Sequence, residues 1–188
     1  MPTSGSIFNW ITSQADILNN VANNLPSVQR LISGFAYIMG IGFAFKAMYS
    51  LKTYGEMRTA GSQASIKEAL TYLIVASVLI YMPTAVQIVL MSSFGSPNIL
   101  AYSPVSSSNA GINVLFGGSA IGLPLTIIIQ TIGLWSFVKG WVMIARTASG
   151  GGQQQGGISK GLVHVMGGVF ALNIVETVNI INNTLYGT

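Results

Sequence analysis

Charged side chains are scarce in this chain of 188 residues, and cysteine is absent. Only 6% of the residues are Asp, Glu, Lys or Arg, whereas soluble globular domains carry about 25%. No Lys, Arg, Asp, Glu or His occurs between Glu68 and Lys139. The lack of cysteine excludes a disulfide framework, a thiolate nucleophile and a cysteine-based metal site. With a mean hydropathy of +0.61, the composition argues against a water-soluble domain.

The sequence also lacks the short motifs typical of enzymes. It has no glycine-rich phosphate-binding pattern ending in Lys-Ser or Lys-Thr. Its single histidine, His164, precedes Glu176 by twelve residues, which places the two about 120° apart around a helix. We therefore expect no enzyme, no cofactor and no metal site. The first six residues carry no basic group, so we also expect no cleavable signal peptide.

The chain does contain four long apolar stretches. A hydrocarbon core about 30 Å thick requires roughly 20 apolar residues in a helix. The stretches that meet or approach this length are 31–51, 69–91, 122–145 and 161–185. Lys46 and Lys139 lie toward the ends of their stretches, where a long side chain can reach the interface. The pattern predicts an all-α integral membrane protein with about four transmembrane helices arranged as two hairpins.

The segments between these stretches complete a predicted domain layout. In residues 1–30, apolar residues at helical spacing alternate with Asn, Gln and Ser, which predicts an amphipathic helix on a membrane face or against a partner protein. Residues 31–91 form the first predicted hairpin. Residues 92–121, rich in Ser, Asn, Gly and Pro, form a neutral loop, and residues 122–188 form the second hairpin.

The basic residues predict the orientation in the membrane. Seven of the eight fall into two windows, and such residues favour the cytoplasmic side of short loops. The predicted cytoplasmic loops contain Lys52, Arg58, Lys67, Arg146 and Lys160. Both termini and the 92–121 loop are then periplasmic. We expect the lipid bilayer as a partner and no sequence-specific nucleic acid, which requires basic residues clustered on one face.

The basic windows are also regularly spaced. Lys46 and Lys139 are 93 residues apart, as are Lys67 and Lys160. Internal duplication explains this offset, but two unrelated hairpins of similar size explain it equally well. Both halves cross the membrane in the same order, so a duplication would be a parallel repeat.

Two groups of residues are candidates for contacts and function. Small residues let membrane helices approach closely. Those expected to serve packing or assembly are Ala36, Gly40, Ala44, Gly161, Gly167 and Gly168. Glu176 is the unusual residue, because a carboxylate within a membrane helix usually faces protein or water. With Asn173 and Thr177 it forms a polar face that lines a conduit, pairs inside a bundle, or lies at a helix end near the outer interface.

The last third of the chain resembles the IcmC/DotE family. The resemblance is carried by the run 132–134, by Lys139 and Gly140, by the glycine- and glutamine-rich segment 150–157, by the run 158–168, and by Asn173 with the residue after it. The family comprises small inner-membrane proteins of the Dot/Icm type IVB secretion system and is similar to the conjugal transfer protein TraQ. The resemblance in overall size and hairpin order covers most of the chain, and the residue-level match is confined to about the last sixty residues. The related IcmD/DotP and DotA proteins share a similar last hairpin.

The resemblance implies a non-enzymatic subunit of an envelope-spanning machine that exports protein effectors, with a role in virulence. It places the protein in the bacterial inner membrane, in a homo- or hetero-oligomer with other secretion-system membrane proteins. A helical hairpin with a neutral loop is also the layout of conjugative pilins. The alternative is an independent small membrane channel or transporter, against which the scarcity of polar groups at mid-membrane counts.

Overall fold

The computed structural model describes residues 4–60, 66–99, 110–116, 118–148 and 157–186. Within these ranges the chain folds into helices and forms no strand. The helices are α1 (Ser4–Thr59), α2 (Lys67–Ile80), α3 (Met82–Phe94), α4 (Ala110–Phe116), α5 (Ser119–Ala148), α6 (Gly157–Leu172) and α7 (Ile174–Tyr186). The predicted all-α class is confirmed for the described part of the chain.

Helix α1 joins segments that the sequence separated. It runs from the amphipathic N-terminal residues through the first apolar stretch to Arg58, and it continues through Pro26. The predicted amphipathic segment is therefore helical, but the helix has no boundary at residue 30. With 56 residues, α1 is about 84 Å long at 1.5 Å per residue. It is longer than a bilayer is thick, about 40–45 Å with headgroups.

Two helices are long and apolar enough to cross a membrane individually. These spans are Asp16–Thr59 in α1 and Ile121–Thr147 in α5. The other two apolar stretches are each divided by a sharp bend, of 93° between α2 and α3 and of 88° between α6 and α7. By length and composition the described residues therefore provide two membrane spans, or up to four if each bent pair is one span.

The two bends differ in their chemistry. Tyr81 separates α2 from α3, and Pro83 follows within the first turn of α3. Proline has no N–H, so it interrupts the hydrogen bonding of a helix but is well tolerated in a first turn. Asn173 separates α6 from α7, and no proline lies near it. A side-chain hydrogen bond bridges this second bend, as described below.

The directions of the helices follow from contacts along their lengths. Gly40 lies against Ile80 and Lys46 lies over the ring of Tyr72, so α2 runs antiparallel to α1. Glycine contacts described below show that α6 runs antiparallel to α5 in the same way.

Helix α5 runs parallel to α1. Gln29 donates a hydrogen bond to the Thr131 hydroxyl over 2.8 Å. Beyond this bond, α1 residues 32–39 and α5 residues 135–146 line one shared groove. Both helices therefore proceed in the same direction from the Gln29–Thr131 contact. As a result, the last turns of α1 and α5 and the first turns of α2 and α6 lie at one end of the molecule.

Large apolar side chains form both the core and much of the surface. The core is shared by α1, α2, α3, α5 and α6 and includes Tyr72, Leu79, Phe137 and Leu172, all at most 1% exposed. Many other large apolar side chains are exposed along the same helices, among them Phe45 at 64%. Exposed apolar surface of this extent marks a membrane or protein interface.

Candidate functional site

Four glycines bring the backbones of α5 and α6 into direct contact. We call this contact the glycine seam, formed by Gly133 and Gly140 of α5 and Gly161 and Gly168 of α6. The two glycines on each helix are seven residues apart, or about two turns. Because the helices are antiparallel, Gly140 meets Gly161 and Gly133 meets Gly168.

The distances across the seam leave no room for side chains. A Cβ atom on Gly140 would lie 2.7 Å from the Gly161 carbonyl oxygen, and one on Gly161 would lie 2.9 Å from the Gly140 oxygen. At the other pair, a Cβ on Gly168 would lie 2.8 Å from the Gly133 oxygen. Between the pairs, the Ser136 hydroxyl donates to the His164 carbonyl oxygen over 3.0 Å. Small residues and an interhelical hydrogen bond are the typical means of joining membrane helices.

The six predicted packing residues divide into different groups. Gly161 and Gly168 lie in the seam, and Ala36 is completely buried in the core. Gly40 contacts the end of α2, where its Cβ would lie 2.9 Å from the Ile80 nitrogen. Ala44 is only partly buried.

Gly167 requires a correction. A Cβ at this position would meet nothing within 4 Å, so Gly167 is not part of the contact with α5. Adjacent residues point about 100° apart around a helix, and only one of two neighbouring glycines can face the same partner. Gly167 instead lies on the outward surface of α6.

Gly133 and Gly140 were not among the predicted packing residues. Their signal in the sequence is the seven-residue spacing, which they share with Gly161 and Gly168. A small-residue spacing repeated on two helices of a predicted hairpin indicates a shared contact line.

The two halves of the fold are built alike. Gly40 and Gly133, which are 93 residues apart, both contact the last turn of the helix that returns beside them. A Cβ on Gly40 would lie 2.9 Å from the backbone nitrogen of Ile80, and one on Gly133 would lie 2.8 Å from that of Leu172. Both return helices then bend sharply. The two glycines have the same offset as the paired lysines, and the residues that they contact, Ile80 and Leu172, are 92 residues apart. This shared arrangement favours the internal duplication.

The basic residues predicted to lie in loops occupy helix ends instead. Lys52 and Arg58 belong to the C-terminal part of α1, where Lys52 pairs with Glu56 over 3.7 Å and Arg58 donates to the Tyr54 hydroxyl over 2.7 Å. The remaining residues of this group lie in the first turn of α2, the last turn of α5 and the first turn of α6: Lys67, Arg146 and Lys160. We call the end of the molecule that they share the basic end.

Lys46 is stabilised within the apolar part of α1 by an aromatic ring. Its ammonium nitrogen lies 4.5 Å from the centre of the Tyr72 ring, at cation–π distance. Tyr72 also stacks on Phe43, with ring centres 5.9 Å apart. The Tyr72 hydroxyl is buried and has no hydrogen-bond partner in the described part of the chain. The aromatic ring of Tyr72, rather than its hydroxyl, therefore stabilises this part of the fold.

The predicted polar face of Asn173, Glu176 and Thr177 lies at the α6–α7 bend. Thr177 donates from its hydroxyl to the carbonyl oxygens of Phe170, over 3.0 Å, and of Asn173, over 2.9 Å. The first of these bonds crosses the bend. Glu176 is partly buried in the first turn of α7, where the helix dipole favours a negative charge. Of the interpretations that the sequence left open, the structure favours a helix-end carboxylate.

Asn173 itself is fully buried, at 0% exposure. Neither its side-chain oxygen nor its nitrogen has a hydrogen-bond partner among the described residues. Buried amides normally have partners, because an unpaired one costs about 1–3 kcal/mol. Asn173 thus contributes to the bend through its backbone, which accepts the hydrogen bonds of Thr177.

The sequence also gave no role to Arg30, the one basic residue outside the two windows. It lines a cavity of about 810 Å³ between α1, α3 and residues 97–99, together with Gln29 and Gln87. This cavity lies at the level of the Gln29–Thr131 bond, because Gln29 and Leu134 both line it.

The described side chains do not assemble an obvious reaction centre. No group of three or more His, Cys, Asp or Glu residues within the described ranges is placed to hold a metal ion. His164 lies with Nδ1 2.9 Å from the Lys160 carbonyl oxygen, a bond within one helix turn. No protein-family model matches the chain, and neither a curated protein nor a solved structure matches it significantly.

Proposed function

We propose that this protein is a non-enzymatic inner-membrane subunit of a type IVB secretion machine of the Dot/Icm kind. The observation that carries the proposal is the glycine seam. Its four glycines, Gly133, Gly140, Gly161 and Gly168, are all among the residues on which the resemblance to the IcmC/DotE family rests. The seam glycines serve close packing of α5 against α6. The resemblance therefore supports a shared helical hairpin rather than a shared reaction centre.

In the proposed arrangement, each half of the chain enters the membrane as a long helix and returns as a bent pair. The basic end faces the cytoplasm, because clustered Lys and Arg residues favour that side. The bends and α3 and α7 lie toward the periplasm. Exposed apolar side chains around α1, α2, α5 and α6 contact lipid or neighbouring subunits, and the chain supports a translocation conduit by oligomerising through them.

A direct test is to purify the tagged full-length chain in mild detergent from a bacterium that carries the secretion genes. We expect a large complex containing other secretion-system membrane proteins, and loss of effector export when the gene is deleted. The matched variant is Gly167→Leu. It adds a large side chain where the fold has open space, so it should leave the monomer intact and weaken assembly.

The alternative of an independent channel or transporter draws on the cavity beside Arg30, which is lined partly by polar side chains. The same purification separates the two functions. A lone oligomer that moves solutes in reconstituted vesicles, without co-purifying secretion proteins, would overturn the secretion proposal in favour of transport.

A further inference from the structure

A groove between α1 and α5 combines an apolar floor with a cationic end. Its volume is about 390 Å³. Its floor includes Ile32, Met39 and Val142, and Lys139 and Arg146 belong to the same lining. None of the lining residues is acidic. The two cations are seven residues apart on α5, so they lie on the same face about two turns from each other.

We infer that this groove binds one anionic glycerophospholipid of the bilayer. The acyl chain lies along the apolar floor, and the phosphate lies at the level of Arg146, toward which the long Lys139 side chain extends. Basic pockets between membrane helices on the cytoplasmic side are suited to anionic headgroups. The inference requires only that the chain is embedded in a bilayer, so it stands independently of the proposed role in secretion.

The length of the groove fits one leaflet. From Trp135 to Arg146 the α5 backbone rises about 16 Å at 1.5 Å per residue. Half of a hydrocarbon core about 30 Å thick is about 15 Å. With Arg146 at the cytoplasmic headgroups, Trp135 lies near the middle of the membrane. A lipid of the inner leaflet can therefore occupy the whole groove without leaving its normal depth.

Comparison of the two halves shows that Lys139 differs from its counterpart. Lys46, which is 93 residues earlier, lies over the Tyr72 ring. The position 93 residues after Tyr72 is occupied by Val165, which offers no aromatic face. Within the described ranges Lys139 forms no ion pair or hydrogen bond, and it lines the groove. An anionic headgroup supplies the partner that Tyr72 supplies to Lys46.

Charge complementarity selects this occupant over a neighbouring apolar helix. A helix laid in the groove would bury Lys139 without a counter-charge, which is unfavourable in a membrane. A zwitterionic lipid would bring a positive group close to two cations. An anionic lipid can pack its acyl chain on the apolar floor and pair its phosphate with the basic side chains.

The test uses the full-length chain in nanodiscs and measures quenching of Trp135 fluorescence by lipids with brominated acyl chains. Trp10 and Trp141, the two other tryptophans, are replaced by phenylalanine. We expect brominated phosphatidylglycerol, diluted into unbrominated phosphatidylcholine, to quench Trp135 at far lower mole fractions than brominated phosphatidylcholine of the same chains. Lys139→Gln with Arg146→Gln should weaken this preference roughly 30-fold, the effect of two basic residues near an anionic headgroup.

The matched control is Lys52→Gln with Arg58→Gln. It removes the same charge from the same end of the molecule but does not touch the groove, so the preference should persist. Circular dichroism confirms that all variants keep their helices. Equal quenching by both brominated lipids, an equal loss in the control, or a Trp135 shielded from both lipids by a protein neighbour would each overturn the inference.

Discussion

Gly140 of α5 and Gly161 of α6 face each other so closely that neither can carry a side chain. A methyl group on Gly140 would lie 2.7 Å from the Gly161 carbonyl oxygen, well inside normal contact distance. The same relationship holds for Gly133 and Gly168. The second hairpin is therefore joined by backbone packing at two points, which makes its stability sensitive to the smallest substitution.

Gly168→Ala should destabilise the protein, because its Cβ would lie 2.7 Å from the Phe137 backbone nitrogen. Overpacking of this kind costs about 1–3 kcal/mol. Gly167→Ala is the control, since the same change one residue earlier enters open space and can gain up to about 1 kcal/mol of helix propensity. Thermal unfolding in detergent should show a lower Tm for the first variant only. Equal Tm values for the two variants would contradict the claim that Gly168 packs directly against the α5 backbone.

Tyr72→Phe should raise the Tm, whereas Tyr72→Leu should lower it. Phenylalanine keeps the ring that contacts Lys46 and Phe43 and removes a buried hydroxyl without a partner, whose burial costs about 1–3 kcal/mol. Leucine removes the ring and its cation–π contact, worth about 0.5–2 kcal/mol. Urea or thermal unfolding in the same detergent compares the two. A Tm for Tyr72→Phe below that of the wild-type protein would show that the hydroxyl has a partner.

Thr177→Val should loosen the α6–α7 bend, because it removes the hydroxyl that donates to the Phe170 and Asn173 carbonyl oxygens. The expected loss is about 0.5–1.5 kcal/mol, because the single hydroxyl proton is shared between the two carbonyl oxygens. Thr177→Ser keeps the hydroxyl and serves as control. Nitroxide labels at Val163 and Leu185, both exposed, report the distance across the bend by pulsed electron spin resonance. A broader distance distribution is expected for valine and an unchanged one for serine.

If the chain is the proposed secretion subunit, Glu176→Gln should leave effector export largely intact, whereas Glu176→Leu should impair it. The structure places this partly buried carboxylate in the first turn of α7, so glutamine keeps the size and polarity that the bend accommodates and loses only a dipole contact of about 0.3–1 kcal/mol. Effector export and complex assembly are measured for both. If glutamine abolishes export from a fully assembled complex, the charge itself lines a conduit; if leucine is harmless, the polar face is dispensable.

The orientation of the chain can be tested with single cysteines, because the natural sequence contains none. Asn98→Cys and Ala60→Cys replace exposed residues beyond α3 and at the basic end. An impermeant thiol reagent, added to cells whose outer membrane alone is breached, should label position 98 and spare position 60. Both should react after lysis. Labelling at position 60 alone would reverse the predicted topology.

The sequence predicted helices and their apolar character well, because 20-residue apolar runs have few other structures available in a membrane. It did not place the helix ends. Lys52 and Arg58 continue α1 because charged residues with good helix propensity do not terminate a helix. The bend at Tyr81 has a signal in Pro83, which lies inside the 69–91 stretch that the sequence predicted as one span. The bend at Asn173 had none, since it depends on a tertiary packing arrangement and on a bond from Thr177.

The candidate site was predicted in part. Small residues indicated close contacts, but the choice between Gly167 and Gly168 depends on the rotation of α6 relative to α5. No single-helix pattern determines that rotation. Gly133 and Gly140 could have been found by comparing spacings between the two helices of the predicted hairpin. The groove that Lys139 lines could not have been found from the sequence, because the groove forms only where α1 and α5 lie side by side.

The bends also set how the protein fits the thickness of its membrane. Before bending, α2 contains 14 residues and α6 contains 16, so they rise only about 21 and 24 Å. A hydrocarbon core is about 30 Å thick. A bilayer accommodates such short segments by thinning around them, at a modest cost per ångström. In the proposed oligomer, the α2 and α6 helices of neighbouring chains would lie side by side and thin the bilayer in one shared patch. The hydrocarbon barrier to polar cargo would be thinnest in that patch.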